Sequence, residues 1–194
     1  MKNSTLIDTI NKSFPDSILA FHFYRGDATV VLQGSFLLPV ANFLKQDKAL
    51  QMNFLMDLTA VDYSTYGKVN KPAFFASSGV GVAPLTQIMD EDPWPGPPTE
   101  ARFAVVYHFY SLKYKHRLRL VVPVEEQEPK LDSLTKLWAG ANWLEREVWD
   151  MFGIEFRGHP DLRRILMYDE FEGHPLRKNY PVNKRQPLIG PLDS

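Results

Sequence analysis

The spacing of apolar residues over the first fifty positions predicts two helices with a pair of strands between them. The apolar face of the first helix consists of Leu6, Ile7, Ile10 and Phe14. Either Ser4 or Thr5 can cap this helix. Two β-rich runs at 17–24 and 28–33 are separated by a short Arg-Gly-Asp turn, which predicts a hairpin. Apolar residues recur at helical spacing again within 36–44, which predicts the second helix.

The middle of the chain alternates between strand-like and helix-like patterns. A mostly apolar run at 52–61 predicts a buried strand. Two β-rich runs at 103–112 and 118–124 are joined by a basic turn and predict a second hairpin. Residues 131–139 place Leu134, Leu137 and Trp138 on one side of a helical projection, so we expect a helix there.

A further helix and a short strand follow. Asn142 is a good N-cap residue, and Glu145 stands three positions later, where it can close a capping box. The pattern predicts a helix over 143–152 that stops at Gly153. Over 154–157 apolar and charged residues alternate, as in a strand with one buried face.

These elements predict an α+β fold with a small, mostly antiparallel sheet, packed helices and an extended C-terminal arm. We expect a single domain over 1–168, interrupted by an inserted loop at about 67–98 that is rich in proline and glycine. A short strand at 73–76 can lie within that loop. Residues 169–194 contain four prolines and little helical periodicity, so we expect an arm that binds a partner.

Composition excludes several classes of protein. Lys and Arg number 22 against 23 Asp and Glu, and this balance argues against a chain built mainly to coat nucleic acid. The arm carries Arg177, Lys178, Lys184 and Arg185 among its prolines, with Tyr180, which would suit nucleic acid. The near-zero overall charge favours a protein partner instead. The chain has no cysteine, which excludes disulfides, thiolate nucleophiles and cysteine-held zinc or iron–sulfur clusters. No signal peptide or membrane-spanning segment is predicted.

Four charged residues lie on the helix predicted over 143–152, which has apolar residues on nearly every side. Burying an unpaired charge is costly, so these residues need partners. Arg146 can reach Asp150 one turn later. Glu147 and Asp150 share a face and form the one plausible acid–base pair, whereas Glu145 points elsewhere. Because no nucleophile or phosphate-binding loop lies nearby, we favour structural pairing over catalysis.

Two arginines beyond the short strand offer forked donors for a phosphate or a carboxylate. Arg163 and Arg164 can form an anion site, or they can pair with the carboxylates of the preceding helix. The nearby acids favour an ion-pair network. His159 and His174 each precede a proline, and their spacing does not match a metal-binding motif, so we expect turn or interface histidines.

Several segments together closely resemble one family, the C subunit of the proton-pumping NADH:quinone oxidoreductase, known as respiratory complex I. The most specific segment is 141–154, with its Glu-Arg-Glu and the aspartate three residues later. The likeness continues through 57–62, 105–108, 158–166, 172–178 and the Tyr180-Pro181 pair. It covers most of the chain, although the loop at 67–98 is longer than the family pattern suggests.

The resemblance implies a subunit of the hydrophilic arm that contacts the quinone-site subunit and the terminal Fe–S cluster subunit. In that family the complex passes electrons from NADH through FMN and Fe–S clusters to quinone, and this subunit binds neither flavin nor cluster. It implies a peripheral location on the cytoplasmic face of the cell membrane. Because the sequence ends at Ser194, we expect the separate form of the subunit and not the fused form.

The residues expected to have structural and interface roles, with none expected to be catalytic, are Glu145, Arg146, Glu147, Asp150, His159, Arg163, Arg164, His174, Arg177, Lys178 and Tyr180. One alternative is the equivalent subunit of a membrane-bound hydrogenase or of a ferredoxin-linked quinone reductase. A neighbouring gene for a subunit that binds flavin and NADH would indicate the NADH-linked complex and not one of these relatives. The alternative of another class is a free-standing hydrolase that uses Glu147 and Asp150.

Overall fold

The computed structural model describes residues 3–66 and 101–187 of the chain. The predicted loop at 67–98, including the short strand proposed within it, lies outside the described residues. The helices are α1 (Asn3–Ser13), α2 (Leu37–Gln46) and α3 (Ala141–Phe152), and a 3₁₀ turn at Gly34–Phe36 precedes α2. The strands are β1 (Ile18–Tyr24), β2 (Asp27–Leu32), β3 (Phe54–Asp62), β4 (Phe103–Tyr110), β5 (Arg117–Val124), β6 (Lys130–Asp132) and β7 (Glu155–Arg157).

The main sheet has five strands in the order β1-β2-β5-β4-β3. Every neighbouring pair in it is antiparallel except β2 and β5, which run parallel. A separate two-stranded sheet pairs β6 with β7 in parallel. The predicted α+β fold with a mostly antiparallel sheet is therefore confirmed.

The core lies between one face of the main sheet and the three helices. Phe103, Val105 and Tyr107 of β4 are buried on that side, and the alternating residues Ala104 and Val106 belong to a smaller cluster on the other face. This period of two is the pattern expected of a strand with two distinct faces. Of the predicted apolar face of α1, Leu6, Ile7 and Ile10 are buried, and Phe14, just beyond the helix, is partly buried against the core. The helix already begins at Asn3, so the expected cap residues lie inside its first turn.

The predicted helix at 131–139 is wrong. Its first residues form β6, in which Leu131 lies opposite Phe156 and Asp132 lies opposite Arg157. The Arg157 guanidinium donates to the Asp132 carboxylate at 3.0 Å. Pairing of β6 with the distant strand β7 is therefore favoured over a helix at 131–139, because this pairing buries Leu131 and Phe156 together.

Only one helical turn remains of that predicted helix. The Leu134 carbonyl accepts hydrogen bonds from the N–H groups of both Leu137 and Trp138. The Ser133 hydroxyl accepts from the Thr135 N–H, a local side-chain bond of the kind that competes with helix formation. Leu134 and Trp138 are still buried, so the apolar spacing reflects this single turn.

The predicted N-cap and capping box of α3 are also wrong. The helix begins at Ala141 after Gly140, without a side-chain cap, and places Asn142 within its first turn. Glu145 points inward instead of back towards the helix start. Gly153 ends the helix in the left-handed region at φ 71°, as the sequence predicted.

Candidate functional site

The carboxylate of Asp150, in the last turn of α3, is fully buried and organises the segment that follows β7. Its Oδ2 accepts the backbone N–H groups of Ile165, Leu166 and Met167 at 3.1, 2.9 and 2.9 Å. Its Oδ1 accepts from the Arg164 guanidinium. Burial by itself raises the pKa of Asp150, but these four donors outweigh it and hold that pKa below its ordinary value.

The Arg164 guanidinium links α3 to the C-terminal arm. Besides Asp150, it donates to the carbonyl of Phe171 at 2.6 Å and to that of Gly173 at 3.2 Å. Its centre lies 5.7 Å from the Trp149 ring and 5.5 Å from the Phe171 ring, within cation–π range. The predicted pairing of this arginine with a carboxylate of the helix is therefore present.

Arg146 was predicted to pair with Asp150, but in the structure it binds backbone carbonyls instead. Its Nε donates to the carbonyl of Arg163 at 3.1 Å, and its Nη2 donates to that of Arg164 at 2.8 Å. The guanidinium also lies 5.4 Å from the ring of Trp143. Backbone groups and Arg164 already occupy the Asp150 oxygens, so Arg146 holds the backbone of the segment in place instead.

The turn that begins at His159 is closed by local bonds. Nε2 of His159 donates to the carbonyl of Asn142 at 3.1 Å, while its Nδ1 accepts the N–H of Asp161 at 3.0 Å. This pattern assigns the proton of the neutral imidazole to Nε2. Arg163 pairs with Asp161 at 3.0 Å, but both side chains are more than half exposed, so this ion pair contributes about 1 kcal/mol or less.

The arm caps the C-terminus of α3. His174 Nδ1, the backbone N–H of Leu176 and Arg177 Nε donate to the carbonyls of residues 150, 151 and 152 in that order, at 3.0, 3.1 and 2.5 Å. These carbonyls have no partner within the helix, and a cation near them is favourable. A Cβ at position 153 would lie 2.5 Å from His174 Nε2, which is too close for a van der Waals contact. Glycine is therefore required there by the space available as well as by the left-handed backbone conformation.

A second buried carboxylate, Asp62 at the end of β3, ties the arm to the main sheet. It accepts Arg102 Nε at 3.2 Å and Nη2 at 2.9 Å, and the N–H groups of Ser64 and Lys178 at 2.9 Å each. Arg102 also donates to the side chain of Asn179 at 2.7 Å. Burial alone raises the pKa of Asp62, but Arg102 and the N–H donors outweigh it and hold that pKa well below its ordinary value.

The sequence did not single out Asp62 or Arg102 as site residues. Asp62 follows a buried strand and precedes Ser64, whose N–H it accepts, which is a common local turn signal. That signal indicates a turn and does not reveal the two distant partners. Lys178 binds Asp62 through its backbone N–H, so the charge of the Lys178 side chain in the sequence gives no indication of this contact.

The remainder of the arm packs on itself. The ring of Tyr180 stacks on Phe171 with 6.1 Å between centroids and 20° between planes, and its hydroxyl accepts from Gln186. Lys184 pairs with Glu172 at 3.3 Å. Residues 169–187 contain neither a helix nor a strand, so these contacts and the two carboxylates define the course of the arm.

Glu145 is fully buried in the core and has only one oxygen engaged. Its Oε1 accepts the N–H of Leu134 at 2.7 Å, whereas Oε2 has no hydrogen-bond partner among the described residues. Burial raises the pKa of Glu145 from 4.5 to about 7, against the opposing effect of bonds from Ser133 and Leu134. The neighbouring Tyr107 is equally buried, and burial together with the Glu145 charge raises its pKa well above 10.0.

Replacing Glu145 by glutamine is expected to remove the loss of stability that the ionisation of Glu145 causes as the pH rises. A folded-state pKa of about 7 against 4.5 means that the stabilising contribution is present below pH 4.5 and is lost as pH rises through 7. The shift corresponds to roughly 3 kcal/mol between these limits. Urea denaturation of the purified chain at pH 5 and pH 8 measures this difference, and E145Q should lose most of it. Glu147→Gln, on the exposed face of α3, is the matched control. An unchanged slope in E145Q would contradict the assignment.

Glu147 and Asp150 do not form an acid–base pair. Both oxygens of Asp150 accept hydrogen bonds inside the protein. Glu147 is exposed, and its carboxylate makes no hydrogen bond or ion pair within the described part of the chain. The geometry therefore offers no support to the hydrolase alternative.

Within residues 3–66 and 101–187, no group of three His, Asp or Glu side chains is arranged to hold a metal ion. No helix in these two described ranges is long and apolar enough to cross a membrane.

Comparison with known proteins gives a consistent family match. The sequence profile described as respiratory-chain NADH dehydrogenase, 30 Kd subunit, matches residues 30–186. The chain is 37% identical over 193 residues to the C subunit of NADH-quinone oxidoreductase from Geotalea uraniireducens, covering 98% of this chain and 96% of that protein. It is 40% identical to the protein of the same name from Coxiella burnetii, covering 93% of this chain and 79% of that protein.

Two solved structures have a similar fold. A trypsin-resistant fragment of Nqo5 matches with a TM-score of 0.55 and 32% identity, covering 84% of this chain and the whole of the fragment. A chain of the archaeal membrane-bound sulfane sulfur reductase, a respiratory membrane complex, matches with a TM-score of 0.64 and covers 94% of this chain and 88% of that one. At 16% identity the second likeness shows the fold alone.

Proposed function

Because the chain belongs to the family of the 30 kDa subunit of respiratory-chain NADH dehydrogenase, we propose that it works as a non-catalytic scaffold, the C subunit of an NADH:quinone oxidoreductase. The observation that carries this proposal is the near full-length similarity to proteins of that name, 37% identical over 193 residues. The complex transfers electrons from NADH through FMN and Fe–S clusters to quinone. The chain itself has no cysteine with which to hold a cluster in the usual way.

The site geometry supports a scaffold more than a reaction centre. The buried carboxylates Asp62 and Asp150 accept hydrogen bonds from arginines and backbone N–H groups of the same chain. Such groups order loops on the surface of the domain, and neither carboxylate is free to exchange a proton with a substrate. The ordered segment and arm then present a defined surface to other proteins.

The partners of this surface are the quinone-site subunit and the terminal Fe–S cluster subunit. Large apolar side chains are exposed where α3, the following segment and the arm meet solvent: Trp143 is 63% exposed, Leu166 57% and Leu176 49%. Aromatic and aliphatic anchors of this kind are typical of protein interfaces. The chain is peripheral, on the cytoplasmic face of the cell membrane, and reaches the membrane through the complex.

NADH is the proposed electron donor, in preference to hydrogen or ferredoxin. The relatives at 37–40% identity are named as subunits of NADH-quinone oxidoreductases. The fold is also found in an archaeal respiratory complex of another kind, at 16% identity, so the fold does not identify the donor. The donor therefore has to be identified from the assembled complex.

Affinity purification of the tagged full chain from gently solubilised membranes is expected to recover a complex. Subunits that hold flavin, Fe–S clusters and the quinone site should co-purify, because a scaffold remains in its assembly. Mass spectrometry identifies them, and an NADH-binding subunit among them selects the NADH-linked complex. Membranes from cells that express the tag on an unrelated protein are the control. Recovery of the chain alone from the soluble fraction would contradict the proposal.

A further inference from the structure

A small basic depression lies on the arm beside the C-terminus of α3. It has a volume of about 200 Å³ and is lined by Gly173, His174, Arg177, Asn179, Tyr180, Pro181 and Lys184. None of these seven residues is acidic. Lys184 already pairs with Glu172 at 3.3 Å, and burial lowers the pKa of His174, so the unbalanced positive charge of the lining is that of Arg177. The lining thus favours a negatively charged occupant.

Arg177 lines this depression, and its guanidinium has no carboxylate partner within the described residues. Its hydrogen bonds go to backbone carbonyls, from Nε to Phe152 and from Nη2 to Gly153. The other two arginines that hold the arm are paired differently: Arg102 meets Asp62, and Arg164 meets Asp150. Of the three, Arg177 alone lacks an anionic partner in the described part of the chain.

The environment of Arg177 does not favour its positive charge. Burial lowers the pKa of this arginine, and nearby Arg102 lowers it further, against opposing contributions from Asp62 and Glu126. The negative end of the α3 dipole offsets part of this cost, because Arg177 caps that helix. Helix capping explains the contacts of Nε and Nη2, but it provides no anion for the guanidinium, and no acid lines the adjacent depression.

We propose that this depression receives a carboxylate side chain, an aspartate or glutamate, of a neighbouring subunit in the complex. The proposal rests on the proposed function, since it requires an assembly. Arg177 would supply the guanidinium N–H groups that its bonds to residues 152 and 153 leave over, and these can still meet a carboxylate. Lys184 lies at the rim, paired with Glu172. His174 borders the site, with its Nδ1 already bonded to the Asp150 carbonyl.

The first test compares two charge removals on the same arm. Arg177→Gln removes the charge in the depression, and Arg185→Gln removes an exposed charge outside its lining. Tagged full-length chains are purified from solubilised membranes. The expected result is that R177Q recovers at least tenfold less of the other subunits, while R185Q matches the wild type. Equal recovery by R177Q and the wild type would overturn the inference.

The second test keeps the charge and identifies the partner group. Arg177→Lys places a primary amine in the depression, and a water-soluble carbodiimide joins an amine only to a carboxylate in contact with it. In the intact complex containing R177K, we expect an amide between position 177 and an acidic residue of another subunit. Arg185→Lys is the control and should give no comparable product. A link from position 177 only to acids of its own chain, or no link at all, would overturn the inference.

Folding and assembly are separated by measurements on the purified chain. If R177Q fails to join the complex only because the cap of α3 is lost, R177Q will unfold at a much lower temperature than R177K, and the inference fails. If the occupant is a small free anion, sodium phosphate will stabilise the wild type over sodium chloride but not R177Q, and R177Q will still assemble; this result would overturn the inference. If the wild type itself recovers no subunits, the proposed function fails, whereas a defect confined to R177Q supports the docked carboxylate.

Discussion

Asp150→Ala should destabilise the folded chain by about 3–5 kcal/mol. The substitution leaves the Arg164 guanidinium, whose side chain is only 12% exposed, without its carboxylate. It also leaves three consecutive N–H groups, those of residues 165–167, without their acceptor. Each unsatisfied buried donor carries its own desolvation cost, so the effect exceeds that of losing a single ion pair.

Urea denaturation of the purified chain near pH 7 measures this effect. Asp150→Asn is an informative second variant, because its carbonyl oxygen can keep some of the N–H bonds while the charge is lost. We expect its destabilisation to lie between those of the wild type and D150A. Glu147→Gln, on the exposed side of the same helix, should change stability by no more than about 0.5 kcal/mol. A loss below about 1 kcal/mol in D150A would mean that Asp150 does not organise the segment.

Asp62→Ala is expected to release the arm from the main sheet and to destabilise the chain by about 3 kcal/mol or more. The Asp62 side chain is fully buried and the Arg102 side chain is 13% exposed. Without Asp62 the guanidinium keeps the exposed Glu126 as its anionic partner and Asn179 as a neutral one. The N–H of Lys178 also loses its acceptor. The arm from residue 174 onward should therefore open more often than the rest of the protein.

Amide hydrogen exchange distinguishes this local release from general unfolding. In D62A, protection should fall most for the Lys178 amide and its neighbours, whereas amides of β4 should exchange at rates set by global stability. Glu125→Gln, an exposed acid just after β5, is the matched control and should leave both regions unchanged. Uniform loss of protection across the chain, or none at Lys178, would refute the tie between Asp62 and the arm.

Elements defined by local periodicity were predicted well from the sequence. The strands of the main sheet fall within a few residues of the predicted runs, because alternating burial and β-rich composition are properties of each segment itself. Gly153 was predicted as the helix stop for a reason that also holds locally, since its φ of 71° suits glycine. The residues of β4 show the same agreement, with Phe103 and Val105 buried on the helix side.

Predictions that depended on distant partners were less successful. The predicted helix at 131–139 failed because β7, more than twenty residues later, pairs with its first residues. Arg146 reaches two backbone carbonyls beyond β7 and not the acid one turn away. A side chain on a helix surface has several charged groups within reach, and only the packed structure decides which of them it meets.

The amino-acid sequence alone establishes the α+β composition, the absence of cysteine ligands and, through the charged motif on α3, the resemblance to a component of a respiratory complex. How those charges are used depends on the tertiary structure. Asp62 and the Lys178 amide lie 116 residues apart and meet because the sheet and the arm bring them together. Burial makes such contacts strong, since an unpaired charge or N–H group removed from water is costly. No local pattern encodes that proximity.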